Sequence, residues 1–357
     1  MFNHRRLVLG RKRRKMTARA LAAAIGVTPI TVSRWENGNN EPEDTTIDAI
    51  AKELRFPRGF FYAGDFDDLP EKAASFRSMS AMTARERDAA LAAGSIAYLF
   101  NDWISERFNL PAADVPNFGA ESSPGSAAQA VREYWGLGQK PIPNMIKLLE
   151  AKGVRVFSLC EDTRNVDAFS CWRNNQPFIF LNTYKSTERS RFDAAHELGH
   201  LVLHRHGPAQ DSRQAEAEAN EFASNFLMPF DDLVGRIHFI TSVKELVQAK
   251  KRWGVSVAAL AYRLNKLDIV SEWQHRSLQI EINRQNYRTK EPDSLPAEES
   301  IIWPQVLSAL WSERITREHI AAELLIPLQE LEGILFKLIG RNLPPAKTGK
   351  SQLRLVS

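Results

Sequence analysis

The residues at 196–200, His-Glu-Leu-Gly-His, constrain this chain more than any other stretch. They lie in a proline-free segment whose apolar residues recur at three- and four-residue spacing, which predicts an amphipathic helix over residues 188–205. Side chains four positions apart project from the same face of a helix. His196 and His200 can therefore hold one metal ion, and Glu197, one step round the helix, can reach a water molecule bound to that ion.

Two imidazoles at this spacing, with a carboxylate base that is not itself a ligand, are typical of zinc hydrolases. The alternative is a buried helix whose histidines form only hydrogen bonds. It is less favoured, because two histidines and a glutamate on an otherwise apolar helix need a reason to be buried. A catalytic zinc ion takes three protein ligands and keeps its fourth position open for water. A third ligand must therefore come from elsewhere in the chain.

Two further histidines are candidates for this third ligand. His206, six residues after His200, has the spacing of the third metzincin histidine, but Leu203 stands where that pattern needs a glycine to bend the chain. His204 continues the four-residue spacing, but a straight helix carries it about 6 Å beyond His200, at a rise of ~1.5 Å per residue. Ligation by three histidines of one unbent helix is awkward, so His204 is expected beside the site or at the helix end.

The third candidate is a carboxylate on the following helix, which an apolar stripe predicts over residues 214–229. Glu216 and Asn220 are one turn apart and flank that stripe, so Glu216 can point at the first helix. Glu218 lies about 160° round the helix from Glu216 and is expected to face water.

Three stretches together resemble the ImmA/IrrE-type metallopeptidases: residues 178–182, 191–204 and 216–229. The third stretch is the specific one, because the His-Glu-x-x-His pattern alone is shared by many zinc enzymes. A looser resemblance extends over about residues 83–292. The resemblance implies an α+β gluzincin-like domain in which Glu216 supplies the third zinc ligand.

The resemblance also implies an activity. One Zn²⁺ ion per chain would be held by His196, His200 and Glu216, and Glu197 would act as the general base in peptide-bond hydrolysis. The implied substrate is a transcriptional repressor or antitoxin-like protein that is cut in a stress- or phage-linked response. The candidates are the chain's own linker, a partner repressor and a protein at the same promoter. The candidates for a further oxyanion donor are Tyr184, His204 and Arg191, and the candidate for orienting a ligand imidazole is Asp193.

Residues 1–60 hold twelve Lys and Arg against six Asp and Glu, so this segment is the candidate for binding a polyanion. Helices are predicted on either side of Gly26, with Thr17 and Thr28 as their N-caps and Pro29 in the first turn of the second helix. A helix, a tight glycine turn and a second helix form a helix-turn-helix, whose second helix enters the major groove of DNA.

The stretches 21–27 and 32–38 resemble the phage-repressor (XRE-type) class of helix-turn-helix. The alternative is a helical protein-interaction module with a solvated basic face. The residues expected to contact DNA are Pro29, Ile30 and Arg34 at base edges, Thr28 and Thr31 near phosphate or base, and Arg13 and Arg14, from a basic run, at phosphates.

A chain of 357 residues, 43% hydrophobic and 25% charged, is typical of a soluble globular protein of two or three domains. No apolar run approaches the about 20 residues of a membrane span, and no signal peptide is visible. Two cysteines are too few for a disulfide framework, which favours a reducing cytoplasm. The predicted regions are a helix-turn-helix domain at 1–65, a linker at 66–82, a peptidase domain at 83–292 and a helical C-terminal region of unknown role at 293–357.

The expected fold class is mainly α with a small β-sheet: an all-α helix-turn-helix domain, an α+β gluzincin-like domain and a helical C-terminal tail. The expected function is that of a DNA-binding zinc endopeptidase and transcriptional regulator. Its expected partners are double-stranded DNA, a protein substrate and, as a further candidate, a second copy of the chain. The alternative is a non-enzymatic repressor whose zinc domain is structural or senses a ligand. The presence of Glu197 argues against that alternative, because a purely structural site needs no base.

Overall fold

The computed structural model describes residues 1–70, 82–118, 123–159, 168–205 and 212–340. This described part is mainly helical with one small β-sheet, which confirms the predicted fold class. No helix in it is long and apolar enough to cross a membrane. The domain boundaries that the sequence suggested remain predictions.

The N-terminal part is helical, and its elements are α1 (His4–Arg13), α2 (Ala18–Ile25), α3 (Pro29–Glu36), α4 (Asp44–Leu54) and the 3-10 helix η1 (Arg58–Tyr62). The hydroxyl of Thr17 accepts a hydrogen bond from the main chain of α2, and the hydroxyl of Thr28 does the same for α3. Gly26 lies between these two helices with a φ of +74°, a left-handed value that glycine adopts without strain. These caps and this turn give the predicted helix-turn-helix.

The described middle of the chain contains helices, a three-stranded sheet and two helices that pack together: α5 (Ala84–Ser105), α6 (Pro124–Tyr134), α7 (Met145–Ala151), β1 (Arg155–Ser158), β2 (Phe169–Arg173), β3 (Gln176–Leu181), α8 (Thr187–Leu203) and α9 (Ser212–Leu227). Strand β3 is central, with β1 parallel to it and β2 antiparallel. Helix α8 contacts β2, β3 and α9. The helix that carries the His-Glu-x-x-His pattern is therefore fixed by both the sheet and the next helix.

After α9 the described chain continues as helices: α10 (Phe230–Val234), α11 (Val243–Ala249), the 3-10 helix η2 (Lys250–Arg252), α12 (Val257–Lys266), α13 (Glu272–Arg284), α14 (Ile302–Ser312), α15 (Arg317–Glu323) and α16 (Leu328–Ile334). The segment between α13 and α14 is fixed by buried carboxylates. Glu188 of α8 accepts hydrogen bonds from the Ser294 hydroxyl at 2.8 Å and the Leu295 N–H at 2.9 Å. Glu150 of α7 accepts one from the Ile301 N–H at 2.7 Å.

Helix α14 completes the core around the sheet. The Trp303 ring stacks on Phe157 of β1 with its centroid 4.9 Å away, and its indole N–H donates to the carbonyl of Val156 at 2.8 Å. The chain after residue 292, expected from the sequence to be a helical tail, therefore shares a hydrophobic core with the sheet.

The same C-terminal region also contacts the helix-turn-helix. Glu330 of α16, which is 4% exposed, accepts a hydrogen bond from Arg13 Nε at 2.6 Å and a second from Arg14 Nη1. Arg14 Nε also donates to the carbonyl of Leu54 at 2.6 Å. Burial by itself raises the pKa of Glu330, but the two guanidinium groups outweigh it and the pKa is lowered. The basic end of α1 is thus paired with a carboxylate from the far end of the described chain.

Candidate metal centre and DNA-binding helix

The structure brings together the three residues that the sequence nominated as zinc ligands. His196 and His200 lie one turn apart on α8 with their Nε2 atoms 3.1 Å from each other. The Glu216 carboxylate of α9 lies 3.3 Å from His196 Nε2 and 3.4 Å from His200 Nε2. Tetrahedral ligands with bonds of about 2.0–2.1 Å to zinc are themselves about 3.3 Å apart. The spacing and chemistry of this donor set fit one zinc ion.

The close approach of α8 and α9 depends on Gly199. A Cβ at this position would lie 3.1 Å from the Phe222 ring and 3.2 Å from the Cα of Ala219, which is tighter than ordinary van der Waals contact. A larger residue would push the two helices apart and carry Glu216 away from the histidines. The close packing of α8 against α9 therefore favours glycine at this position of the His-Glu-x-x-His pattern.

The charge state of Glu216 also suits a ligand. Burial by itself would raise the pKa of this carboxyl, but hydrogen bonds with His196 and His200 outweigh it and the pKa lies well below its usual range. For His196, burial lowers the pKa, but Glu216 outweighs that effect and the pKa is raised. Glu216 is thus an ionised carboxylate that faces an imidazole, His196, whose pKa is raised.

The outer nitrogen of His196 contacts a residue different from the predicted one. Its Nδ1 atom lies 3.2 Å from Asn220 Oδ1, whereas Asp193, the candidate for this role, pairs with Lys185 at 2.6 Å. Asp193 lies one turn before His196 on the same helix, but the lysine just before that helix draws its carboxylate away. Asn220 reaches the imidazole because it follows Glu216 by one turn on the facing helix.

The outer nitrogen of His200 contacts another histidine. Its Nδ1 atom lies 3.1 Å from His204 Nδ1, and His204 Nε2 lies 2.8 Å from Glu218 Oε2. The expectation that Glu218 faces water is therefore wrong, because the end of α8 lies over this side of α9. His204 is placed beside the site and not in the ligand set, as expected. His206, the remaining histidine candidate, lies outside the described residues.

Glu197 is held from the sheet side. It is 2% exposed, and the Ser170 hydroxyl of β2 donates to its Oε2 atom at 2.7 Å. The sequence did not indicate Ser170, because an isolated serine in an apolar strand carries no signal for a contact 27 residues away. This hydrogen bond fixes the orientation of the Glu197 carboxylate on the helix that carries the two histidines.

Two of the oxyanion-donor candidates contact residues outside the proposed ligand set. Arg191 is 3% exposed and donates to the carbonyls of Ile142 at 2.8 Å and Gly254 at 3.1 Å. The Tyr184 ring stacks on Phe336 with centroids 5.1 Å apart.

The second helix of the helix-turn-helix presents the predicted reading face to solvent. Val32 and Trp35 are buried and anchor α3 to the core, while Ile30 is 68% exposed. Thr28, Pro29 and Arg34 are also exposed, and the hydroxyls of Thr28 and Thr31 are 2.8 Å apart. Arg13 and Arg14 differ, because the structure gives both of them Glu330 as a partner.

Comparisons with known proteins match two different family models to two parts of the chain. Residues 149–265 match the family model described as IrrE N-terminal-like domain, Peptidase_M78, and residues 9–61 match the helix-turn-helix model HTH_3. The chain joins an XRE-type helix-turn-helix to an IrrE-like domain. It is similar to the HTH-type transcriptional regulator DicA of Escherichia coli (strain K12), with 37% identity over 60 residues. The match covers 17% of this chain and 44% of that regulator.

Proposed function

We propose that this protein is a DNA-binding zinc endopeptidase. The observation that carries the proposal is the meeting of His196, His200 and Glu216, whose ligand atoms all lie within 4.8 Å of one another. The buried carboxylate of Glu197 lies beside this set, where a hydrolase needs its base. The match to a metallopeptidase family supports the same reading.

The chemistry divides between the ion and the chain. When bound, zinc supplies a water molecule of lowered pKa and polarises a peptide carbonyl. Glu197 accepts the proton of the attacking water and passes it to the leaving amine. Ser170 donates to one oxygen of that carboxylate and so holds the base in position for this proton transfer.

The helix-turn-helix directs this activity to DNA. We infer that α3 enters the major groove with Arg34 as the base-reading side chain, because its guanidinium is exposed and can bind guanine through two hydrogen bonds. Pro29 and Ile30 would lie against base edges, and Thr28 and Thr31 near phosphate or base. A homodimer is compatible with this mode of binding.

The proposed substrate is a repressor or antitoxin-like protein in the cytoplasm, cut in a stress- or phage-linked response. Because the DNA-binding module is on the same chain, the substrate is expected to be a protein bound near the same operator. The products of genes beside the DNA sites that the chain occupies in cells are therefore the first substrates to test.

Replacement of Glu197 by Gln tests the chemistry. The variant should keep zinc and fold, because the carboxylate is a base and not a ligand, and cleavage should fall by about 10²–10⁴-fold. Zinc content is measured by elemental analysis and cleavage by mass spectrometry of candidate repressors. Cleavage at the original rate would exclude this mechanism. Zinc binding without cleavage by the unmodified chain would favour a regulator with a structural or ligand-sensing zinc domain.

A further inference from the structure

The last three described helices repeat the geometry of the helix-turn-helix. Helices α14, α15 and α16 follow one another as α1, α2 and α3 do, and the hydroxyl of Thr316 caps α15 as that of Thr17 caps α2. Residues with a left-handed φ separate the helices at matching positions, which are Lys15, Gly26 and Gly38 in the first set and Arg314, Leu325 and Lys337 in the second. Each member of the second set follows its counterpart by the same number of residues.

The main-chain hydrogen bonds and the buried positions of the two sets also correspond. After the turn, the Val27 N–H donates to the carbonyl of Ala22 at 2.9 Å. At the matching positions, the Ile326 N–H donates to the carbonyl of Ala321 at 3.0 Å. The buried side chains that match are Leu21, Val32 and Trp35 in the first set and Ile320, Leu331 and Ile334 in the second. Helices α14 to α16 therefore form a second helix-turn-helix.

The two helix-turn-helix units carry opposite charge. Residues 3–36, the basic unit, hold nine Lys and Arg against one Glu, whereas residues 302–335, the acidic unit, hold two against five. In the third helix, Glu330 stands at the position of Thr31, and Gly333 stands at the position of Arg34. The phosphates of DNA repel such a surface. The acidic unit thus has the fold of a DNA-binding module without the charge that DNA binding needs.

The third helix of the acidic unit faces protein where that of the basic unit faces solvent. Glu330 and Gly333 are buried, whereas Arg34 is exposed. The Glu330 carboxylate contacts Arg13 and Arg14 at the end of α1, and the rest of α16 packs against α5 and β1. The face that reads DNA in the basic unit is therefore occupied by protein in the acidic unit.

The turn of the acidic unit takes part in the same contact. Leu325 adopts a left-handed φ of +55°, which is unfavourable for a residue that has a side chain. That side chain lies against Gly59 of η1, where an added Cβ would be 3.1 Å from Leu325 Cδ2. At the end of α15, Glu323 accepts a hydrogen bond from Trp103 Nε1 of α5 at 2.7 Å. The second helix, the turn and the third helix of the acidic unit thus all face the N-terminal part of the chain.

We propose that the acidic unit is a built-in binding partner of the basic unit. Its third helix binds the basic end of α1 in the way that the third helix of a DNA-binding module binds DNA. The binding surface is the carboxylate face of α16, and the partner that fits it is a helix end that presents two arginines. The pairing is independent of the proposed peptidase activity.

The proposal also fixes the number of DNA-reading helices. One chain contains two helix-turn-helix units but a single third helix that is free to enter a major groove. A second reading helix, which a two-fold symmetric DNA site requires, would have to come from a second chain. This part of the inference rests on the proposed DNA binding by α3.

A charge swap in the full chain tests the pairing. Glu330→Arg places three guanidinium groups together, and Arg13→Glu places two carboxylates beside one guanidinium group. Each change should speed amide hydrogen exchange at the end of α1 and in α16 by about tenfold or more. The combined variant again has one carboxylate and two guanidinium groups, so its exchange should return close to that of the unmodified chain. The matched control is Glu332→Arg, at a side chain that is 44% exposed, which should leave exchange at the end of α1 unchanged.

Matched changes in the two third helices test the number of reading helices. Ile30 and Gln329 occupy corresponding positions and are both exposed. The probe is a DNA duplex that the unmodified chain selects from a random-sequence pool. Ile30→Asp should weaken binding to it by about tenfold or more, because the new carboxylate would enter the groove between phosphates. Gln329→Asp should leave the affinity unchanged.

Three results would overturn the proposal. The first is unchanged exchange in Glu330→Arg and Arg13→Glu. The second is exchange in the combined variant that stays as fast as in the single variants, because opposite charge would then not be what joins the units. The third is a loss of DNA affinity in Gln329→Asp as large as in Ile30→Asp, because α16 would then read DNA. A normal affinity in Ile30→Asp, together with the expected result of the charge swap, would contradict the proposed DNA contacts of α3 and support the pairing.

Discussion

Two buried glutamates in this molecule each contact two nitrogen-containing side chains. The partners are histidines in one case and arginines in the other. Glu216 is 5% exposed and contacts two imidazoles of α8. Glu330 is 4% exposed and contacts two guanidinium groups of α1. Burial by itself raises the pKa of both carboxyls, and in both the bases outweigh it. The two sites therefore look alike in charge and differ in chemistry.

The difference separates a complete ion pair from a site that can take a cation. A guanidinium group stays charged and has no lone pair to offer, so the Glu330 cluster already contains its positive charge. An imidazole can be neutral, with a lone pair directed inwards, so the Glu216 cluster can accept a metal ion in place of protons. The first arrangement holds two regions of the chain together, and the second is the candidate site for a metal ion.

The largest expected effect follows the loss of Glu216. In Glu216→Ala, zinc affinity should fall by more than the about 100-fold that loss of an outer hydrogen bond causes, because a ligand itself is removed. The exposed Glu221→Ala variant on the same helix should bind zinc normally. Both are measured by chelator competition. Unchanged zinc affinity in Glu216→Ala would show that Glu216 is an ion-pair partner like Glu330 and not a metal ligand.

The next effect is on stability. Glu330→Ala removes the carboxylate that contacts two partly buried guanidinium groups, and the free energy of unfolding should fall by up to about 3 kcal/mol. This is the lower end of the range for a broken buried pair, since Arg14, with a side chain 24% exposed, can regain water. The control is Glu332→Ala, which breaks a 3.2 Å surface pair with Arg317 and should lower stability by less than about 1 kcal/mol. Equal losses in urea unfolding would contradict a docking role for Glu330.

The same pair gives a pH dependence with a definite sign. The pKa of Glu330 is lower in the folded chain than in the unfolded chain, where a glutamate titrates near pH 4.3. Its contribution is therefore complete above about pH 4.3 and is lost as the pH falls below that value. The stability difference between the unmodified chain and Glu330→Gln should shrink in acid. A difference that stays constant from pH 7 to pH 3 would show that the carboxylate charge is not what stabilises the contact.

The smallest effects concern DNA. Arg34→Ala should weaken operator binding by about 1–3 kcal/mol and relax the preference at one base pair. The double change of Arg13 and Arg14 to Ala should leave the salt dependence of binding unchanged, because Glu330 already engages both side chains. If the slope of log binding constant against log salt concentration fell in magnitude by about two, that result would instead support the phosphate contacts that the basic run suggested. Binding isotherms over a range of salt concentrations separate the two results.

Local patterns predicted much of this molecule, and long-range partners account for what they did not. The α8 helix was expected over residues 188–205 and spans Thr187–Leu203, because periodicity and end signals are properties of neighbouring residues. The inward turn of Glu216 followed in the same way from one apolar stripe. The partner of Glu197, by contrast, is Ser170, and no periodicity connects a strand residue with a residue on a later helix.

The basic run at the end of α1 is the clearest case. Five consecutive Lys and Arg residues at 11–15 suggest an exposed surface, because clustered charge is normally solvated. The partner of Arg13 lies 317 residues further along the chain, in a helix whose sequence shows no relation to the first. Helix caps, turns and ligand spacing could be read from the sequence because each is decided within a few residues. The partner of Arg13 and Arg14, whether DNA phosphate or Glu330, could not be read from the sequence in this way.

The position of Glu330 late in the chain also sets an order of events during synthesis. Arg13 leaves the ribosome 317 residues before its partner, which is about 15–60 s at ~5–20 residues per second. The helix-turn-helix and its contacts with α5 can form in that interval, whereas its contact with α16 has to wait until that helix has been made. A chain that ended before α16 would lack the carboxylate that contacts the basic end of α1. The contact between α1 and α16 is therefore one that only a chain extended through α16 can form.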